Sequence, residues 1–311
     1  MATVQCQGHG PPYHWEQNDV AGLTEVRPEE MGKKEKLWFE ALGEGEDQAT
    51  LWLFKQVRDE GGLIRGEDWA EGLVHVLAQL LGIRSACVAL AERVGGRGVL
   101  VRNILDDGES LAHGNELMAV AVEGYDSAKL RLNSQYTLPN IRQGLSGYRG
   151  GDDRRTAFDE LAGYLMLDAL VAGRDRHHTN WAVKLSVDGP GRLAPSFDHG
   201  NALGFAEPEA HVVALLTDEA RLASWVRRGK SQHMPARPTL VSVAVDALRA
   251  AGPSASLDLM ERLEDVSLET FGEAVEAMPL HIMSETHRRF SVRIVETNRR
   301  RLLDEFVRRP N

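Results

Sequence analysis

The chain has 311 residues, 42% of them hydrophobic and 26% charged, and a formal net charge of −10. That length suffices for two lobes around a substantial core, and the composition is that of a soluble globular protein. The acidic balance argues against nucleic acid or an anionic membrane as the main partner, and no apolar run approaches bilayer-spanning length.

Residues 1–28 carry Gly8, Gly10, Pro11, Pro12 and Pro28 with few apolar pairs, and read as an extended, mobile N-terminal lead-in that includes Cys6. No basic stretch followed by an apolar core marks a signal peptide, so the expected location is cytoplasmic and reducing. Lys36–Glu40 and Leu51–Lys55 alternate large apolar and polar residues around a Gly/Glu-rich turn, the pattern of a hairpin. Between Gly66 and Gly82, Trp69, Leu73, Val76, Leu77 and Leu80 recur at helical spacing, and Gly82 suits the left-handed position that closes a helix. Cys87–Leu90 and Val99–Val101 are two more short strands. Cys87 reads as a small buried residue, and with Cys6 it makes neither a metal-spacing motif nor a disulfide framework.

From about residue 155 the texture becomes helical. Phe158, Leu161, Leu165, Asp168 and Ala169 share a row in a segment apolar on all sides, which predicts a core helix ended by Gly173. A loop then leads to strand-like Asn180–Val183. After Asp198 the chain reads as helices punctuated by Pro235, Pro238 and Pro253, with a last helix over Ser284–Val307 whose arginines form a solvated face. A β-rich first lobe over 29–103 and an α-helical second lobe over 104–311 follow, an α+β bilobal arrangement.

The chemistry concentrates in Asp175, Asn180 five residues on, and Asp198. Phosphoryl transfer from ATP needs a carboxylate to take the acceptor's proton, and an amide with a second carboxylate to hold Mg²⁺. Taken singly, Asp175 could be a surface residue paired with Arg174 or Arg176. Lys55 ends an alternating strand, where a Lys would reach the α- and β-phosphates. Glu71 and Glu67 on the next helix compete to pair with it, and both lie on one face. Gly32, Lys33 and Lys34 precede the first strand and suit phosphate oxygens. His177 and His178 allow a metal-hydrolase alternative, although adjacent histidines in a loop point apart. His113–Glu116 reads as a turn without an assignable role.

These pieces resemble the HipA-like bacterial Ser/Thr kinases, which are related in fold to eukaryotic protein kinases and phosphatidylinositol kinases. The similarity runs from about Gly32 to Gly204 and rests on Gly32–Lys36, Trp52–Lys55, Glu71–Gly82, Asp175–Asn180 and Ser196–Gly200. It implies a bilobal kinase fold, ATP and Mg²⁺ as cofactors, and Asp175 as base with His177 as loop organiser. It further implies Asn180 and Asp198 on the metal, Lys55 on ATP phosphates oriented by Glu71, and Arg102, Asn103 and Ile104 at the adenine hinge. The distance to Gly82 favours Glu71 over Glu67. The chain resembles the short members without an additional amino-terminal subdomain, and it has no Ser or Thr at Met31–Lys34, where the family often carries a regulatory phosphosite. A protein substrate, and an antitoxin-like partner, are implications of the resemblance. A small molecule or lipid head group as acceptor, and a nucleotide-binding pseudokinase, are the competing readings.

Overall fold

Period-two alternation of large apolar side chains builds the first part of the molecule. The computed structural model describes residues 3–6, 10–28, 36–43, 45–46, 48–187 and 189–308. In chain order come Thr3–Val4 (β1), Asn18–Asp19 (β2), Thr24–Pro28 (β3), Lys36–Gly43 (β4) and Ala49–Gln56 (β5). Asp59–Glu60 (β6) and Leu63–Ile64 (β7) form a small ribbon; then come helix Glu67–Leu80 (α1), Val88–Arg93 (β8) and Gly96–Arg102 (β9). One sheet runs β1-β4-β5-β9-β8-β2, with β3 also on β4. Directly opposed residues share a face, so Phe39 opposite Trp52 and Leu37 opposite Phe54 bury on the outer face. Lys36 opposite Lys55 falls on the other face. The alternation therefore aims Lys55 inward, beneath the sheet.

The lead-in is not simply extended. Its described part supplies three strands, and the route from β1 to β2 carries it from one sheet edge to the other. Two-residue strands paired with partners far along the chain leave no periodic signal. Cys6, just after β1, meets Cys87, just before β8, with Cα atoms 5.5 Å apart, and the two sulfurs are joined in a disulfide. This corrects the expectation of two unrelated thiols. The bond is a consequence of folding the lead-in over the sheet.

The second part is helical. It contains Ser110–His113 (β10), Gly114–Ala121 (α2), Leu138–Gly144 (α3), Ala157–Leu170 (α4), Ala182–Leu185 (β11), Arg192–Leu193 (β12), Glu209–Leu216 (α5) and Glu219–Arg227 (α6). Leu240–Ala250 (α7), Pro253–Asp265 (α8), Leu268–Ala277 (α9) and Glu285–Arg308 (α10) complete it. Every residue of α4 is buried. Its end differs from the expectation: Ala172, not Gly173, takes the left-handed conformation (φ 54°), and the Gly173 N–H bonds back to Asp168 O at 2.8 Å. That is the six-to-one closure of a Schellman motif, with Ala where Gly is usual. Gly82 does take the left-handed conformation expected of it (φ 60°).

The arginines of α10 also depart from the reading of a solvated face. Arg288 bonds Met278 O, Arg299 bonds Leu263 O and Glu264 O, and Arg301 bonds Val226 O. These carbonyls lie at the C-terminal ends of α9, α8 and α6, where helices leave unsatisfied acceptors and partial negative charge. Arg289, Arg300 and Arg308 face solvent. One main core runs from α1, β8 and β9 through α4, α7, α9 and α10. Among the described residues no helix is long and apolar enough to cross a membrane.

Candidate functional site

Lys55 lies at the centre of the first half of the site. Its Nζ is 3.0 Å from Glu71 Oε1 on α1 and 3.0 Å from Asp198 Oδ1. Burial by itself would lower the Lys55 pKa, but Asp198 and Glu71 together outweigh it and hold the ammonium above its ordinary value. Lys55 in turn holds Asp198 well below the usual carboxylate range, against the opposing effect of burial. Glu71 uses its other oxygen to accept the His199 backbone N–H at 2.8 Å, which ties α1 to the Asp198 segment. Glu67, the competing partner, instead accepts from the Arg58 backbone and guanidinium at 2.8 and 2.7 Å. Asp198 itself has φ 63°, a left-handed conformation rare for residues other than Gly, Asn and Asp. Next to it, His199 is buried, with its Nε2 hydrogen-bonded to Ser196 Oγ at 2.9 Å; burial lowers its pKa to about 3 and keeps it neutral.

The second half is the loop between α4 and β11. Arg176 is buried and makes a two-pronged bond to Asp168 on α4, both contacts 2.8 Å. The same guanidinium donates to Asn180 O at 2.7 Å and Ser196 Oγ at 3.0 Å. One side chain thus joins the core helix, the Asp175–Asn180 loop and the strand leading to Asp198. Asn180 is buried and its Nδ2 donates to Asp175 O at 2.8 Å. Its side-chain carbonyl and one Asp198 carboxylate oxygen have no hydrogen bond among the described residues. Those are hard oxygen donors, the kind that would suit a Mg²⁺ ion.

Asp175 pairs with neither neighbouring arginine. Its Oδ1 lies 3.0 Å from His233 Nε2, while His233 Nδ1 is 2.6 Å from Leu130 O. Both ring nitrogens of this buried histidine face acceptors, so its ring is fixed between a carbonyl and the carboxylate. The other Asp175 oxygen has no partner among the described residues, and the side chain is 37% exposed. Nothing in the local sequence marks His233, which comes from the segment between α6 and α7. His177 and His178 diverge as expected. His177 Nδ1 is 2.9 Å from Thr179 Oγ1, and its ring meets that of His233 edge-on at 5.0 Å. His178 Nδ1 bonds Tyr125 OH at 2.7 Å. Burial lowers both histidines, His178 to about 4. No cluster of three His, Cys, Asp or Glu able to hold a metal occurs among the described residues.

The His113–Glu116 turn now has a place. Gly114 N–H bonds Trp181 O and Asn115 N–H bonds His178 O, and a Cβ at Gly114 would overlap both Trp181 and the His178 carbonyl. The turn is a floor under the loop. At the expected hinge, Arg102 pairs with Glu46 at 2.6 Å and the Asn103 N–H is used by Leu51 O, while Ile104 packs against the main core. Gly32, Lys33 and Lys34 lie outside the described residues. A cavity of about 430 Å³ between Arg84, Glu160 and Asp258 lies elsewhere and includes none of these groups.

No protein-family model matches the sequence, and no curated protein matches it. Solved structures do match the fold. The Helicobacter pylori proinflammatory kinase CtkA superposes with a TM-score of 0.75 at 15% identity, over 94% of this chain and 97% of that one. The chain shares the fold of that kinase. The Shewanella oneidensis HipA toxin, solved with HipB and operator DNA, matches with a TM-score of 0.58 at 12% identity, over 93% of this chain and 68% of its own. The α+β arrangement expected from the sequence, strand-rich first and helical after, is the one these kinases share with the chain.

Proposed function

We propose that the chain is an ATP- and Mg²⁺-dependent phosphotransferase acting on a Ser or Thr hydroxyl of a protein. The observation that carries this reading is the convergence of Lys55, Glu71 and Asp198, with Asn180 joined to the Asp198 segment through Arg176. Lys55 would bind the ATP phosphates while Glu71 holds it in place. Asn180 and Asp198 would hold Mg²⁺, which supplies charge neutralisation on the phosphates. Asp175, steered by His233, takes the proton of the acceptor hydroxyl through its unpartnered oxygen. The deprotonated acceptor oxygen would bond the γ-phosphorus as the bond to the β–γ bridging oxygen breaks, with ADP as the leaving group. Gly32, Lys33 and Lys34 would cover the phosphates, and the backbone at Arg102, Asn103 and Ile104 would border the adenine.

The test is transfer of labelled γ-phosphate to lysate proteins by the wild type, Asp175→Ala and Asp198→Ala, followed by phosphoamino-acid analysis. Phosphoserine or phosphothreonine formed by the wild type alone supports the reading. Equal incorporation by all three overturns it, and ATP binding without turnover points to a pseudokinase. A cytoplasmic setting goes with ATP as co-substrate, yet the Cys6–Cys87 bond runs against a reducing compartment. An antitoxin-like partner is tested by co-purification at native expression level.

A further inference from the structure

The surface beside Asp175 bears on the nature of the acceptor. Arg174 directly precedes Asp175, and its guanidinium lies 5.6 Å from the centre of the Trp225 ring on α6. Arg228 caps the same helix, one turn after Trp225, and therefore on the same side. His233, bonded to Asp175, belongs to a segment that also carries Lys230 and Arg237. That segment is stitched to a second loop: the Leu132 N–H bonds Gln232 O at 3.3 Å and the Asn133 N–H bonds His233 O at 3.0 Å. The second loop carries Lys129 and Arg131.

Lys129, Arg131, Arg228, Lys230 and Arg237 are exposed, and Arg174 is half-buried. Among the described residues neither these five nor Arg174 makes an ion pair. Burial lowers the Arg174 pKa, Glu207 opposes that, and Arg228 and Arg237 lower it further, so the three guanidiniums share one neighbourhood. The carboxylates facing them are engaged or few. Glu207 is bonded to Trp225 Nε1 at 3.1 Å and His211 Nδ1 at 2.6 Å, and Asp126 accepts the Ala128 N–H at 3.1 Å. In a molecule of net charge −10, cations without ion-pair partners gathered beside Asp175 carry a repulsion that Glu207 only partly offsets and that an anionic ligand would relieve.

We propose that this face receives an acidic polypeptide segment, with Asp or Glu beside the Ser or Thr to be phosphorylated. The inference rests on the kinase reading above. The exposure of the cations favours an extended chain over a small phosphorylated metabolite, which a concave site would enclose. It also favours a peptide over an anionic bilayer. A bilayer meets the whole acidic molecule, whereas a short segment meets only charges within a Debye length of it.

The experiment measures kcat/KM for Ser peptides flanked by Glu, by Gln or by Lys. Inositol phosphates and phosphatidylserine-containing vesicles serve as the other anionic acceptors. The wild type should prefer Glu-flanked over Lys-flanked peptide by roughly tenfold or more, and the preference should shrink as ionic strength rises. Arg228→Glu combined with Arg237→Glu should raise the KM for the acidic peptide about tenfold and reverse the preference, while the KM for ATP changes little. Arg289→Glu combined with Arg300→Glu, an equal charge change on the exposed side of α10, should leave all three peptide values as they were. Transfer without a charge preference, a preference untouched by the double variant, or faster transfer to the inositol phosphates or vesicles would overturn the acidic-peptide proposal while leaving the kinase reading intact. Absence of transfer to every acceptor and to lysate proteins would overturn both.

Discussion

Arg176 offers five donors, and the structure spreads them over three segments. Replacing it with Ala leaves the buried Asp168 carboxylate unpaired, which should cost about 3–5 kcal/mol in urea denaturation. Arg176→Lys should fall between, because it keeps the charge and loses the fork. The side chain of His233 bonds Asp175 and, on its other nitrogen, Leu130 O. His233→Ala should lower kcat about 10- to 100-fold with little change in the KM for ATP, and His233→Gln should retain more activity by keeping one donor. If Asp175→Asn and His233→Ala multiply as independent losses, the two are not acting as a unit. At this scale the sequence exposes Asp175, Asn180 and Asp198 through their spacing. It misplaces the partner of Asp175, because Arg174 and Arg176 are neighbours in sequence while His233 is 58 residues away. The true role of Arg176 had a readable sign: a carboxylate at Asp168, inside a helix apolar on all sides, requires a buried cation.

Helix α1 is held on every side. Trp15 packs against Gly72, where an added Cβ would strike its ring, and its indole N–H bonds Ala274 O on α9 at 2.8 Å. Asp68 pairs with Arg97 of β9 at 3.1 Å, and Arg97 also donates to His281 O and Ile282 O, both at 2.9 Å. These contacts keep Glu71 against Lys55. Gly72→Val should therefore displace Trp15, cost about 1–3 kcal/mol, and weaken ATP binding through Glu71, as read by nucleotide titration. Burial, partly offset by Arg97, raises the Asp68 pKa to about 6. A carboxyl raised in the folded state stabilises fully below its unfolded value near 3.9, and that contribution is lost as pH climbs through 6. Between pH 7.5 and 5 the wild type should gain roughly 1 kcal/mol from this group, and Asp68→Asn should lose that part of the pH dependence. The helix and its Glu71 were legible from apolar spacing and the distance to Gly82. The cover over it was not, since Trp15 sits in a segment without periodicity.

The whole molecule is closed by its N terminus. Strands β1 and β2 lie at opposite edges of the sheet, and the disulfide between Cys6 and Cys87 links positions 81 apart. In the loop-entropy description, closing a loop of that size stabilises by roughly 4 kcal/mol. The oxidised protein should thus show no free thiol on alkylation in denaturant, and reduction should lower its melting temperature by several degrees. Unchanged melting would separate the bond from the fold. The bilobal layout was readable because strands and helices announce themselves by period two and 3.6. Pairing of two-residue strands across a sheet is a tertiary event with no local trace, and the bridge follows from it.

The central claim is that Lys55, Glu71, Asp175, Asn180 and Asp198 form one phosphoryl-transfer site. It is tested most directly by ATP-dependent phosphate transfer measured against Mg²⁺ concentration, for the wild type and for Asp198→Ala. The account requires saturable, Mg²⁺-dependent transfer by the wild type and a loss of about a thousandfold or more in the variant. Equal transfer by the two proteins, or wild-type transfer indifferent to Mg²⁺, would contradict it.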